Sequence, residues 1–394
     1  MGAMRRWGTV LGVIAALALV GCAPSVERSA EPSPSTPSTS TTTATPTPHA
    51  VDPIADLTLE QRVAQLFMVG TAVDSIDAVT ASAVSEQQVG GVFLHGRSDA
   101  GVDATAALVS ELTSLVADGN TPLWVATDQE GGDVQVLSGP GFDKMPTALT
   151  QARTFDAASL RGEAERWGSQ LATAGVTMNL APVADIVTSA EAGPLNRPIG
   201  ALNREYGFDE QTVGAYAGAF AEGMRQSGVM PTFKHFPGLG RTTANTDYDA
   251  DVLDTEVTAT SPDVEVYRAL LAEGPAVVMM STAVYQNLDP TSPAAFSPAV
   301  VTDLLRDELG FNGVIMTDDL SATAQVKRWT PAERATLTID AGVDVILISA
   351  DPTVFPEMYS AVLAKAQADS AFAEKVDAAA RRIILAKASL SASS

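Results

Sequence analysis

Charged side chains recur at one kind of position in this sequence, the last residues of short apolar runs. Asp128 ends the third such run, Asp185 the fourth, Lys234 and His235 the fifth, and Asp318 and Asp319 the seventh. Two carboxylates facing a polar pocket suit glycoside hydrolysis, in which one attacks the anomeric carbon and another group protonates the leaving oxygen. Taken singly, each of these residues reads more simply as a turn former or loop cap. Their shared position on one rim is what points to chemistry. The basic pair could instead hold an anion, but no Walker-type phosphate cradle is present and Gly238-Leu239-Gly240 alone is a weak signal.

The elements that must position these residues follow from the runs themselves. They are Val63 to Gly70, Gly91 to His95, Pro122 to Asp128, Met178 to Asp185, Val229 to His235, Ala276 to Val284, Gly313 to Asp318 and Val343 to Ser349. Most are continuously apolar, as expected of strands buried on both faces of a parallel sheet. Helix-like segments lie between them, including Val102 to Val116, Ala158 to Ala174, Asp209 to Ser227, Ser297 to Leu309 and Pro331 to Ala341. Eight strands with intervening helices predict an α/β chain folded as a single (β/α)8 TIM-type barrel rather than an open doubly wound sheet. Residues from about Pro352 to Ala386 read as closing helices. In such a barrel the chemistry belongs at the carboxyl ends of the strands, where the charged residues fall.

Composition narrows the partners. The 394 residues carry 47 Asp plus Glu against 24 Lys plus Arg, a net charge of −23, which argues against nucleic acid because phosphate binding draws on clustered cations. Hydrophobic residues make up 46% of the chain, enough for a sizeable core. One cysteine excludes a disulfide framework and a multi-Cys zinc site, and His49, His95 and His235 are too scattered for a His-rich centre. No metal or other cofactor is expected.

The lone cysteine has its own context. Arg5 and Arg6 precede the apolar stretch Val10 to Val20, and Leu19-Val20-Gly21-Cys22 follows, a pattern that resembles a bacterial lipobox. The resemblance implies a signal peptide over 1–21 and lipidation of Cys22. From Pro32 to Pro48 every residue except Ala44 is Pro, Ser or Thr, a composition with almost nothing to bury. Residues 22–51 are therefore expected to be a lipidated tether and 52–394 the barrel, held outside the cytoplasmic membrane by the lipid and monomeric.

At this point several blocks become recognisable. Lys234-His235-Phe236-Pro237-Gly238-Leu239-Gly240 resembles the K-H-F-P-G-H-G signature of glycoside hydrolase family 3 β-N-acetylglucosaminidases, and Gly313 to Ser321 resembles their nucleophile strand. Asp128-Gln129-Glu130-Gly131-Gly132, Leu180 to Val183, Asn203 to Gly207 and Leu304 to Phe311 extend the similarity over nearly all of Leu57 to Ile348. The resemblance implies that Asp318 is a nucleophile forming a covalent glycosyl-enzyme, and that Asp128, Arg204, Lys234 and His235 hold the sugar. It implies a retaining exo-acting enzyme for terminal β-linked N-acetylglucosamine, with cell-wall peptidoglycan fragments as substrate.

The sequence departs from the family where the acid/base belongs. The family continues into a D-S-H loop whose histidine is the acid/base, whereas this chain has Asn245, Thr246 and Asp247. Asp247 can take the role if burial or the Asp318 carboxylate raises its pKa, and Asn245 then avoids a second like charge beside it. Asp249 and Asp251 are alternative acids. A loop without a working acid would leave a carbohydrate-binding lipoprotein, and a glycoside phosphorylase is a further alternative, although an anionic acid/base disfavours incoming phosphate. Milder departures are Leu239 for the second signature histidine, Asp133 and Val136 for arginines, and Ala322 for a methionine.

Overall fold

A computed structural model describes residues 52–117 and 119–391 of the chain. The expected signal peptide, Cys22 and the tether lie outside these residues. Eight parallel strands, β1 (Phe67–Ala72), β2 (Gly91–His95), β3 (Trp124–Thr127), β4 (Met178–Asn179), β5 (Met230–Phe236), β6 (Val277–Met280), β7 (Ile315–Thr317) and β8 (Ile346–Ile348), pair in chain order, with β8 returning to β1. The remaining gap closes through a parallel bridge between Met316 and Val345 and a hydrogen bond from the Thr317 N–H to the Val345 carbonyl. The result is the (β/α)8 barrel that the alternation of runs and helices predicts.

Both faces of the strands are covered. All seven residues of β5 are buried, as are the first five of β1, which explains why the runs lack the alternation of a half-exposed sheet. Outside the barrel, helices Ala157–Thr173 and Glu210–Gln226 pack through Trp167 and Phe220, whose ring centroids lie 6.3 Å apart. The strand expected from Val63 begins later, because Leu59–Gln65 is helical. Thr58 caps that helix and exchanges hydrogen bonds with Gln61, a capping box that turns the apolar residues Val63 and Ala64 into a buried helical face. The run Met178 to Asp185 is a ladder strand only at its start. Beyond the cis Ala181-Pro182 bond it continues as buried extended chain with a single bridge from Val183 to Lys234, and this carries Asp185 into the barrel mouth. Among the described residues no helix is long and apolar enough to cross a membrane.

Candidate active site

The carboxyl ends of β3 and β5 meet in an ion network. Lys234, 2% exposed, places its ammonium 2.7 Å from Asp128 and 2.7 Å from Glu130. Arg204 comes from the loop after β4, where Asn203 in a left-handed conformation turns the chain inward. Its guanidinium grips Glu130 with two parallel hydrogen bonds, of 2.9 Å and 2.7 Å, and donates to the Pro198 carbonyl. Burial alone would raise the Glu130 carboxyl, but the charges of Arg204 and Lys234 and their hydrogen bonds outweigh it and hold the group at about 2. Burial likewise disfavours the charged Lys234, yet Asp128 and Glu130 hold its pKa above the ordinary lysine value. A buried charge of this kind persists because each member is paired.

His235 is fixed from the neighbouring strand end. Its Nδ1 lies 2.7 Å from Asp185, whose other oxygen accepts the backbone N–H groups of His235 and Leu239. The contact between Nδ1 and Asp185 fixes the orientation of the imidazole ring. The signature segment after β5 passes very close to the β4 extension. A Cβ on Gly240 would sit 2.0 Å from the Ile186 carbonyl oxygen, so only glycine fits there. The departure at Leu239 is accommodated because that residue acts through its backbone, donating to Asp185 and accepting from Asn196, while its side chain is buried.

Asp318 follows β7 and is half-buried, with the Asp319 N–H donating to its carboxylate at 2.8 Å. Burial raises its pKa, opposed by the nearby charges of His235 and Lys234. Asp319 points the other way. It accepts from the Ser321 N–H and hydroxyl, the Ala322 N–H and the Ser349 N–H, tying the turn after β7 to the end of β8.

The loop at 241–252 brings Asp247 over the same pocket. Although the residue lies exposed at the mouth, desolvation of its carboxyl and the Asp318 charge raise its pKa to about 6, against opposing contributions from His235 and Arg204. Asn245 makes no side-chain contact with this carboxyl. Its Oδ1 accepts the Asp247 N–H at 2.9 Å, an Asx turn that sets the backbone. Asp249 is drawn aside by Arg197 at 2.8 Å and by the Asn245 N–H, and Asp251, its side chain 86% exposed, faces Arg328. At the turn where the family's arginines are absent, Arg97 from the loop after β2 donates to the carbonyls of Asp133 and Gln135.

The structure thus gathers Asp128, Arg204, Lys234, His235, Asp247 and Asp318 around one mouth. Sequence reasoning missed Glu130, although it stands two residues after Asp128 and such spacing puts both side chains on one side of an extended segment. It placed Asp185 on the rim without recognising it as the partner of His235.

Residues 58–386 match the Glycosyl hydrolase family 3 N terminal domain. The crystal structure of a β-N-acetylhexosaminidase from Beutenbergia cavernae is similar, with 56% identity and a TM-score of 0.83 over 85% of this chain and 99% of that one. Beta-hexosaminidase LpqI of Mycobacterium tuberculosis is 33% identical over 298 residues, 74% of this chain and 73% of the relative. The solved structure of M. tuberculosis LpqI aligns with a TM-score of 0.72 at 29% identity, over 84% of this chain and 94% of that one.

Proposed function

This chain belongs to glycosyl hydrolase family 3, and from that premise we propose how it works as a β-N-acetylhexosaminidase. The Asp318 carboxylate attacks the anomeric carbon of a terminal N-acetylglucosamine while Asp247 gives its proton to the departing glycosidic oxygen. A covalent glycosyl-Asp318 ester forms and the aglycone leaves as an alcohol. Water then attacks the same carbon, Asp247 takes its proton, and the sugar departs with retained configuration. Asp128, Arg204, Lys234 and His235 hold the sugar through its hydroxyls.

The observation that carries this reading is the asymmetry of the two facing carboxyls. The Asp318 carboxylate accepts a backbone N–H, and Lys234 and His235 oppose the rise that burial imposes on its pKa. Asp247 has no hydrogen bond to its carboxyl among the described residues and faces Asp318, so we assign the proton of the pair to Asp247. The test compares Asp247→Asn with the parent on an activated aryl glycoside and on a natural disaccharide. Hydrolysis of the disaccharide should fall by about 10²- to 10⁴-fold, that of the aryl glycoside far less, and azide should rescue deglycosylation. An ionised acid cannot donate, so the parent's kcat/KM should decline as pH rises through about 6, and the variant should lack that limb. Unchanged leaving-group dependence and an unchanged limb would remove Asp247 from the mechanism.

The substrate we propose is a peptidoglycan fragment ending in β-linked N-acetylglucosamine, met by a barrel anchored outside the membrane through Cys22. The lipobox-like Leu19 to Cys22 and the Pro/Ser/Thr tether support this location. Cys22→Ala should shift the protein from the membrane fraction to the soluble or unprocessed pool, because one thiol carries the whole lipid anchor. A processed variant that stays with the membrane would contradict the anchor.

A further inference from the structure

We propose that Gln325 is a positioning residue for the reaction, holding the Asp247 loop in register on the segment that carries Asp318. The proposal rests on the reading of Asp247 as acid/base. Gln325 lies in the short turn Ala324–Val326, seven residues beyond Asp318, and is 4% exposed. It grips the loop at two places. Its backbone N–H donates to the Thr246 carbonyl at 3.1 Å, and the neighbouring Ala324 N–H donates to the Asp247 carbonyl at 3.2 Å. Its side-chain amide spans the far end of the loop, with Oε1 accepting the Val252 N–H at 2.7 Å and Nε2 donating to the Val252 carbonyl at 3.2 Å.

These contacts complete a continuous path between the two reacting groups. Asp318 is followed by Asp319, whose carboxylate fixes the turn at Ser321 and Ala322, and that turn leads to Ala324 and Gln325. Only the backbone attaches Asp247 to this frame, since its carboxyl has no orienting partner among the described side chains. A histidine acid/base can be aimed by a carboxylate on its second ring nitrogen, whereas a short Asp has no second atom to hold and must be aimed through its main chain. An amide at 325 suits this demand because it satisfies both a donor and an acceptor of one buried residue. A hydrophobe there would leave the Val252 N–H unpaired and its carbonyl with the Val284 N–H alone.

The groups that face the Asp247 carboxyl are Asp318 and Asp319 from the β7 end, His235 from β5 and Arg204 from the loop after β4. If the loop loosens, the carboxyl leaves Asp318 for solvent and its pKa returns toward the ordinary aspartate range. The experiment uses the full chain with Gln325→Leu, Gln325→Glu and Asp247→Asn in parallel, each checked for the parent's thermal transition. Gln325→Glu keeps an acceptor for the Val252 N–H, loses the donor to its carbonyl, and serves if Gln325→Leu does not fold.

Disaccharide kcat should drop by about ten- to a hundredfold in the Gln325 variants, the scale of a misplaced catalytic group. The activated aryl glycoside should lose less than about threefold, since it needs little protonation. The alkaline limb of kcat/KM should move to lower pH. Equal losses on both substrates, or an unmoved limb in a folded Gln325 variant, would overturn the positioning role. If Asp247→Asn changes the leaving-group dependence and the Gln325 variants do not, the positioning role alone fails. If Asp247→Asn changes nothing, the acid/base reading fails first and takes the positioning role with it.

Discussion

Asp128, Glu130, Lys234 and His235 stand at or just beyond the ends of β3 and β5, each locked by a charged partner within 2.7 Å, whereas Asp247 hangs from an irregular loop fastened by main-chain hydrogen bonds. Asp318 sits between the two regimes, at a strand end but facing the loop. The strand side supplies groups that must stay charged while buried, so each charge is neutralised by a neighbour. In the proposed mechanism the loop side supplies a group that must gain and lose a proton, and pairing it would fix its charge. An unpaired, desolvated carboxyl facing a like charge is a different solution to a different demand.

The largest effect should come from removing the group that joins the two sides. Asp318→Ala should lower kcat/KM by several orders of magnitude without unfolding the barrel, because it removes the carboxylate on which the proposed covalent ester forms. Near-normal turnover would break the assignment. Asp319→Asn is the control on the neighbouring residue. It retains an acceptor for the turn, so its loss should be smaller and should appear partly as lower stability.

The strand side can be broken through Glu130. Glu130→Gln removes the anion between Arg204 and Lys234 and leaves two buried cations with Asp128 as the remaining acid in contact, which should cost about 3 kcal/mol at neutral pH. KM for an aryl glycoside should rise by about tenfold as the cations proposed to hold the sugar move. The pH dependence has a definite sign. The folded-state pKa of Glu130 lies near 2, below its ordinary 4.5, so its stabilisation is present above about pH 4.5 and is lost as pH falls toward 2. Unfolding measured across that window should show the gap between parent and Glu130→Gln narrowing with acid. A constant gap would mean that the network is not the source of the stability.

The same contrast governs what was legible in the sequence. Strand-end residues could be read because continuous apolar runs mark where a buried strand stops, and charges recurring at that point in several runs fall on one rim. The barrel followed from the same runs, apart from Val63 to Gln65, where a capping box at Thr58 and Gln61 outweighed apolarity. Glu130 and Asp185 were partly hidden because their roles depend on partners 74 and 50 residues away, a separation that no local pattern encodes. Gln325 was invisible for a stronger reason. A glutamine in a polar stretch carries no chemical signal until the Val252 backbone is seen against its amide.

The smallest effect, and the finest test of the loop side, lies at Asn245. Its Oδ1 only accepts the Asp247 N–H, so Asn245→Asp should keep the Asx turn and the position of the acid while placing a new negative charge beside it. That charge disfavours the ionised form of Asp247 and should move the alkaline limb upward, by about half a pH unit at low salt and less at high salt because the loop lies at the solvent-facing mouth. Asn245→Ala adds no charge and loses the turn. It should lower disaccharide turnover by about two- to tenfold with the limb moving down, as a less constrained carboxyl reaches more water. Opposite displacements from two substitutions at one position separate charge from geometry. If both variants move the limb the same way, the loop does not hold Asp247 by its backbone, and the distinction between a paired strand side and a main-chain-held loop side fails at the residue where it is most exposed to test.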